Sequence, residues 1–310
     1  MIGALEDPRK VFGQTVSALA DVNERVVILS ADSGKSSGFG DFMKEHPERY
    51  YEFGIMEQAV VGIASGFATT GKIPVFCAIA PFVTARPYEM FRNDLGYMRQ
   101  NVKIVGRNGG ITYSDLGSTH HSLDDFGIIR MIPGVVILSP QDPGEIRSAC
   151  KAMLEYEGPV YMRIGNEKIP NLFEESKFTI GKGRIIRSGT DVTIISTGSI
   201  TKNVMDAAKE LEKAGISAEV IGMPTICPLD EDMILRSAEK TGCVVTAEEH
   251  YIYGGMGTMV SDLLCRARPV KVKKLGIPNN YATSGPYAQI LASYGLDSGS
   301  VSKSIREFLS

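Results

Sequence analysis

The 310-residue sequence predicts an α/β fold: a parallel sheet covered by helices, followed by a second, smaller α/β unit. Three observations predict it. Short β-branched apolar runs recur along the chain, continuous rather than alternating, as in strands buried on both faces. Helical segments fill the gaps between them, the pattern of strands that lie parallel through crossover connections. Near Asn166 the rhythm breaks in a charged, proline-containing stretch, Asn166-Glu-Lys-Ile-Pro-Asn-Leu-Phe-Glu-Glu-Ser-Lys177, and then resumes. The expected organisation is a first domain over residues 1–170, a linker over 171–183 and a second domain over 184–310.

Each element has its own signal. Asp7-Pro8 reads as an N-cap followed by proline in the first turn, opening a helix to about Ala20. Val26–Ser30 is a continuous apolar strand ending in Ala31-Asp32-Ser33-Gly34. Strands follow near Tyr51–Gly54, Pro74–Ala80, Val102–Gly106, Val135–Ser139 and Val160–Ile164. After the linker come strands at Val192–Ser196, Ala218–Gly222, Val244–Ala247 and Val270–Leu275, with helices from Thr201, Asp230 and Gly255. In such sheets ligands gather at the carboxyl ends of the strands.

Composition narrows the function. A formal charge of −3 carries no basic excess for nucleic acid, and no segment is long and apolar enough to cross a membrane. The amino terminus lacks the basic flank and apolar core of a signal peptide, so a cytoplasmic location is expected. The five cysteines, Cys77, Cys150, Cys227, Cys243 and Cys265, are widely spaced and mostly within apolar runs. They read as reduced, buried small hydrophobes rather than a disulfide frame or a zinc site.

The most informative stretch is Glu52-Phe-Gly-Ile-Met-Glu57-Gln-Ala-Val-Val-Gly-Ile-Ala-Ser-Gly66. Glu57 stands at the mouth of an almost wholly apolar, small-residue helix, which is expected to be buried. A carboxylate there is partly desolvated and held by the helix dipole. Aromatic residues follow the next strand, in Phe82-Val-Thr-Ala-Arg-Pro-Tyr88-Glu-Met-Phe91, and beyond them lies a Gly117-Ser-Thr-His120-His121 loop. In this combination the chain resembles the pyrimidine-binding half of transketolase.

The resemblance implies a set of roles. A Glu in the place of Glu57 bonds a ring nitrogen of the aminopyrimidine of thiamine diphosphate and so activates the cofactor, work that needs a fixed carboxyl group in a low-dielectric pocket. Phe82, and less closely Tyr88, match the aromatic cluster that packs on the pyrimidine, and Asp32 matches an acidic residue facing the cofactor. His120 matches the histidine of the family's Gly-Pro-Thr-His loop, which contacts the substrate carbonyl and moves its proton. His121 reads as a supporting or surface residue. Arg9, Ser36 and Arg163 match positions that grip the sugar phosphate, where a planar guanidinium suits an oxyanion. Asn108 stands where pentose-phosphate transketolases place a phosphate-contacting His. Leu116 stands where they place an Asp that reads a sugar hydroxyl. Those two departures point away from the usual pentose phosphates, toward a branched or a sulfonated sugar.

What the chain lacks bears on assembly. Thiamine enzymes of this kind hold the diphosphate through Mg²⁺ at a Gly-Asp-Gly motif, and the sequence contains none. The resemblance spans essentially the whole chain but only the second half of a full transketolase. A split enzyme is expected, with a separate N-terminal subunit carrying Gly-Asp-Gly, the diphosphate and the metal, in an α2β2 assembly acting on an anionic sugar. No metal site is expected in this chain. Two other readings stay open from sequence: the beta subunit of a 2-oxo acid dehydrogenase, whose loop normally reads Gly-Pro-Gln-His, and a non-catalytic binding or scaffolding subunit. A fused deoxyxylulose-phosphate synthase also shares the Glu-Gln pair but would bring its own amino-terminal half. The Gly254-Gly-Met-Gly segment is not a dinucleotide fingerprint and reads as close helix–strand packing.

Overall fold

The computed structural model describes residues 2–310. Asp7 caps the first helix, its carboxylate accepting the Arg9 N–H at 3.0 Å, and the helix runs over Pro8–Asp21. Its inner face buries Val11, Phe12, Val16 and Ala20. The strand that follows, Val26–Ser30, is buried at every residue, which is why its sequence shows no alternation.

The first sheet has seven strands in the order Thr225–Cys227, Val136–Leu138, Val160–Arg163, Lys103–Arg107, Ile73–Ile79, Val26–Ser30 and Tyr50–Glu52. Neighbours pair parallel except at the first position, where Thr225–Cys227 runs antiparallel to Val136–Leu138. The second sheet has five strands in the order Lys271–Ile277, Cys243–Tyr251, Val192–Ser196, Ala218–Gly222 and Arg184–Arg187, the last antiparallel. Between the sheets runs one apolar core. Val60, Phe76 and Phe126 on the strands and helices of the first unit share it with Ile195, Ile221, Val244 and Met256 on those of the second.

Three features depart from what the sequence predicts. Thr225–Cys227 belongs by position to the second unit yet completes the sheet of the first. The segment after Asn171, read from the sequence only as a linker, is anchored: the Asp142 carboxylate accepts the N–H groups of Leu172 and Phe173 at 2.7 and 3.0 Å, and the Arg184 guanidinium lies 4.5 Å over Phe173. The apolar helix Glu57–Thr69, whose composition predicts burial all round, is covered on one side only. Val60, Val61, Ala64 and Ser65 face the core, while Gln58 and Gly66 are exposed and Gly62 and Ile63 half-buried. The inner face packs on Ile73–Ile79 and the Phe91–Tyr97 turn. Just ahead of this helix Ile55 and Met56 are exposed by 72% and 54%.

The Gly254-Gly-Met-Gly segment serves packing. The Glu248 carboxylate accepts the N–H groups of Met256 and Gly257 at 2.8 and 2.7 Å, capping the helix Met256–Ala267. A Cβ on Gly255 would fall 2.4 Å from that carboxylate, so the approach requires glycine.

Anchoring of the segment after Asn171 carries a buried acid with it. Glu145 lies beside Asp142 in the first turn of the helix Pro143–Glu155, with its carboxyl accepting the Gln141 N–H at 3.0 Å. Burial pushes its pKa up from 4.5 to about 7, helped by the neighbouring Asp142 charge and opposed by the Gln141 N–H bond and, more weakly, by Arg184. The native state therefore keeps a proton that the unfolded chain releases, and the resulting loss of stability accrues between pH 4.5 and 7 and is complete above it. Glu145→Gln should raise stability by about 3 kcal/mol at pH 8 and leave it nearly unchanged at pH 4.5. Urea denaturation midpoints at the two pH values measure the difference, and an equal gain at both would remove the proton from the explanation.

Candidate active site

Glu57 is the first residue of its helix, where free backbone N–H groups favour negative charge. It is 3% exposed. Arg86 Nη1 donates to Glu57 Oε2 at 2.7 Å, and the same guanidinium lies over the Phe82 ring, its Cζ 4.0 Å from the centroid. Phe82 is held in the short helix Ala80–Val83 that follows the strand Ile73–Ile79. His120 meets Phe82 edge to face at 5.3 Å and Tyr113 at 5.4 Å, and its Nδ1 lies 2.9 Å from the Thr119 hydroxyl. Glu57, Phe82 and His120, distant in sequence, thus form one contiguous group.

Beside it lies a group of donors. Arg107, at the carboxyl end of Lys103–Arg107, is buried; its Nη2 donates to Ser36 Oγ at 2.9 Å and its Nη1 to Asn108 Oδ1 at 3.0 Å. Arg107 Nε and Asn108 Nδ2 are buried without a partner. Burial lowers the pKa of Arg107, and the charge of Arg9 lowers it further. Arg9 is tied to Asp7 at 2.8 Å, and the charge of Tyr113 also acts on it. Asn108 and Asp32 both sit in the left-handed region, with φ of 59° and 54°. Such strain in non-glycine residues gathers at functional sites. Leu116 is exposed by 46% on the loop that leads to His120. Burial, and then the neighbouring His120, lower the pKa of His121, and neither of its ring nitrogens has a partner.

Two expected site residues are placed elsewhere. Tyr88 packs against the apolar core rather than beside Phe82, because it lies on the next short helix, past the turn that carries Arg86. Arg163 does not face an anion site. Its guanidinium is buried between the two sheets, donating to Asp125 Oδ1 at 3.0 Å and to the Glu249 carbonyl at 2.7 Å, and stacking on Phe126 at 4.2 Å. Asp125 also accepts the Tyr161 hydroxyl at 2.7 Å. Conversely, Arg86, Arg107 and Tyr113 belong to the group without being flagged by the sequence. Arg86 lies inside the aromatic segment, and Arg107 ends its strand directly before Asn108; those positions are the available signal. Among the described residues no group of three or more His, Cys, Asp or Glu side chains could hold a metal ion.

Residues 7–170 match the family model described as the transketolase pyrimidine-binding domain, and residues 181–301 match that of the transketolase C-terminal domain. The chain belongs to the transketolase family. It is 39% identical over 303 residues to one of the subunits of the apulose-4-phosphate transketolase of Phocaeicola vulgatus, covering 97% of each chain. It is 35% identical to a subunit of the 6-deoxy-6-sulfo-D-fructose transketolase of a Clostridium species, with 96% of this chain and 93% of that one covered. A solved structure of a split-gene transketolase, described as an inactive beta4 tetramer, superposes with a TM-score of 0.91 at 35% identity, 98% of each chain being covered. The transketolase reading is thereby favoured over a dehydrogenase beta chain, and the chain has the extent of the C-terminal component of a split transketolase.

The buried pair gives Arg163 a structural test. Arg163→Met should destabilise the protein by about 3–5 kcal/mol, because it strands the Asp125 carboxylate in the core without its counter-ion. Asp125→Asn with Arg163→Met should recover part of that loss. Denaturation midpoints for the three variants are the measurement; an unaffected midpoint in Arg163→Met would return the residue to the anion site.

Proposed function

We propose that the chain is the C-terminal subunit of a thiamine diphosphate-dependent transketolase that transfers a two-carbon ketol unit from a ketose to an aldose phosphate or a related anionic sugar, and that it is active only with a partner subunit. The observation that carries this reading is the Glu57 carboxylate, buried at a helix mouth against the face of Phe82, with His120 edge-on to the same ring. The donor set fits an aminopyrimidine: a flat cation with in-plane N–H groups already lies on Phe82 and bonds Glu57. We read the chain as a pyrimidine-binding domain over 1–170, a linker over 171–183 and a C-terminal domain over 184–310.

Thiamine diphosphate, when bound, supplies the carbon that accepts and releases the two-carbon unit. Glu57 would hold a proton at a ring nitrogen of the aminopyrimidine, and Phe82 would present the ring on which it stacks. Asp32 would face the cofactor from the adjacent strand end. His120 would give and take a proton at the sugar's carbonyl oxygen. Ser36, Asn108 and Arg9 would hold the anionic end together with Arg107, whose Nε and the neighbouring Asn108 Nδ2 are uncommitted donors. Leu116, an apolar side chain on the same loop, would leave one sugar hydroxyl unread. The relatives named above are called after a phosphorylated and a sulfonated sugar, and branched or sulfonated sugars are the substrates we favour. A donor set without a strict geometric clamp suits either anion.

The diphosphate and its Mg²⁺ we assign to an N-terminal partner with Gly-Asp-Gly, in an α2β2 assembly with the open side of the helix Glu57–Thr69 near the interface. The missing Gly-Asp-Gly in this sequence supports the assignment. We further propose a cytoplasmic setting; all five cysteines are unpaired, as a reducing compartment keeps them.

Two outcomes test the reading. Calorimetry with thiamine diphosphate and Mg²⁺ should show no saturable binding to the lone chain at micromolar levels and should show binding once the partner is added, together with ketol transfer. Tight, magnesium-dependent binding to the lone chain would refute the split site. In the reconstituted enzyme, Glu57→Gln should leave partner binding intact while ketol transfer is lost. Deuterium exchange at the thiazolium carbon, followed by quenched NMR, should slow in parallel, and exchange at the wild-type rate would remove Glu57 from cofactor activation.

A further inference from the structure

We propose that Arg86 is a resident occupant of the pyrimidine site, holding Glu57 and Phe82 until the cofactor's aminopyrimidine displaces it. The inference rests on the transketolase reading of the site and adds to it a residue that the resemblance did not supply.

Shape is the first reason. A guanidinium is flat and delocalised, and carries N–H donors in its plane; it stacks on aromatic faces and bonds carboxylates at the same time. An aminopyrimidine meets the same two partners in the same two ways. Arg86 uses both at once, with 2.7 Å to Glu57 Oε2 and 4.0 Å to the Phe82 centroid. While the guanidinium stays, Glu57 Oε2 and the face of Phe82 that it covers are not available to a second flat group.

Energetics explain why an arginine stands there. The Glu57 side chain is 5% exposed. An ionised carboxylate so buried needs a partner, and the uncompensated charge would be strongly unfavourable. Arg86 supplies the counter-ion without leaving the surface, since its own side chain is 34% exposed. Local backbone makes it displaceable. Arg86 lies in the turn over residues 84–87, outside any helix, where its N–H bonds the Pro81 carbonyl at 3.2 Å and the next residue, Pro87, is buried. The backbone is fixed while the long side chain faces water, so the guanidinium can swing outward with no change of fold.

Displacement has a thermodynamic signature. A ligand that must break the Glu57–Arg86 pair binds more weakly than one entering an open site, in proportion to the fraction of molecules with the site open. Removing the guanidinium should then tighten binding, the reverse of what deleting a ligand-holding residue does.

Free thiamine, which has the aminopyrimidine but no diphosphate, is the probe for this chain. Calorimetry or saturation-transfer NMR should show Arg86→Ala binding it at least about tenfold tighter than wild type. Arg86→Lys keeps the charge but cannot stack as a plane and should fall between them. The double variant Glu57→Gln, Arg86→Ala should lose the gain, which a general loosening of the fold would not predict. Should Arg86→Ala fail to fold, Arg86→Met keeps the stem and takes the same measurement. The complex with the Gly-Asp-Gly partner provides the reference. If that complex binds thiamine diphosphate while the Arg86 variants bind thiamine no better than wild type, the proposal is overturned and the transketolase reading stands. If the wild-type complex binds no thiamine diphosphate, both fall.

Discussion

The buried ion pair between Arg163 and Asp125 is the constraint on which the rest of the site depends. Two charges removed from water are tolerable only when each is fully met, and here each is met more than once. Asp125 takes Arg163 and the Tyr161 hydroxyl; Arg163 adds the Glu249 carbonyl. Glu249 in turn accepts the Ile111 N–H at 3.2 Å and the Tyr287 hydroxyl at 3.0 Å. The loop from Asn108 to His121 is therefore fixed from the second domain as well as the first. Gly109 and Gly110 permit the contact: a Cβ on Gly109 would sit 2.4 Å from the Arg163 side chain, and one on Gly110 2.7 Å from Glu249. The second domain contributes none of the proposed catalytic groups, yet it determines where His120 stands.

Charge at the site is organised by sign. At one end a carboxylate is buried with a single counter-ion, Arg86. At the other, Arg107 is buried among Ser36, Asn108 and Arg9 with donors in excess of acceptors. Between them lie the rings of Phe82, His120 and Tyr113. A flat basic ring at one end and the anion of a second ligand, the sugar, at the other match that gradient. The left-handed conformations of Asp32 and Asn108 mark the two strand ends where the chain turns into it, each of the kind that costs on the order of 1–3 kcal/mol and persists only where the surroundings fix it.

Much of this was legible in the sequence because it rests on local signals. The strand Val26–Ser30 and the cap at Asp7 follow from periodicity and side-chain chemistry within a few residues, and Glu57, Phe82 and His120 stand in recognisable segments. What escapes has a common cause. Arg86, Arg107 and Arg163 are ordinary residues one at a time, and only tertiary neighbours decide whether a guanidinium meets solvent, a ligand or a buried carboxylate. Arg163 misleads for that reason: its sequence context at a strand end is that of a ligand-gripping arginine, while Asp125 lies nearly forty residues away. Tyr88 likewise differs from Phe82 only by which side of a turn it occupies. The openness of the helix Glu57–Thr69 could not be read at all from composition, since a helix apolar on every side does not reveal which face its own chain covers.

The strand Thr225–Cys227 has a consequence for biosynthesis. It closes the edge at Val136–Leu138, but it lies far downstream, so on a translating ribosome that edge waits for the intervening residues, on the order of ten seconds at ordinary elongation rates. During that interval an apolar, unpaired strand is presented to solvent, the kind of template that recruits other chains. The nascent first domain should accordingly be a client of chaperones until the second is nearly made, and fragments ending ahead of residue 225 should be prone to aggregate even though every residue of the proposed catalytic cluster is already present in them.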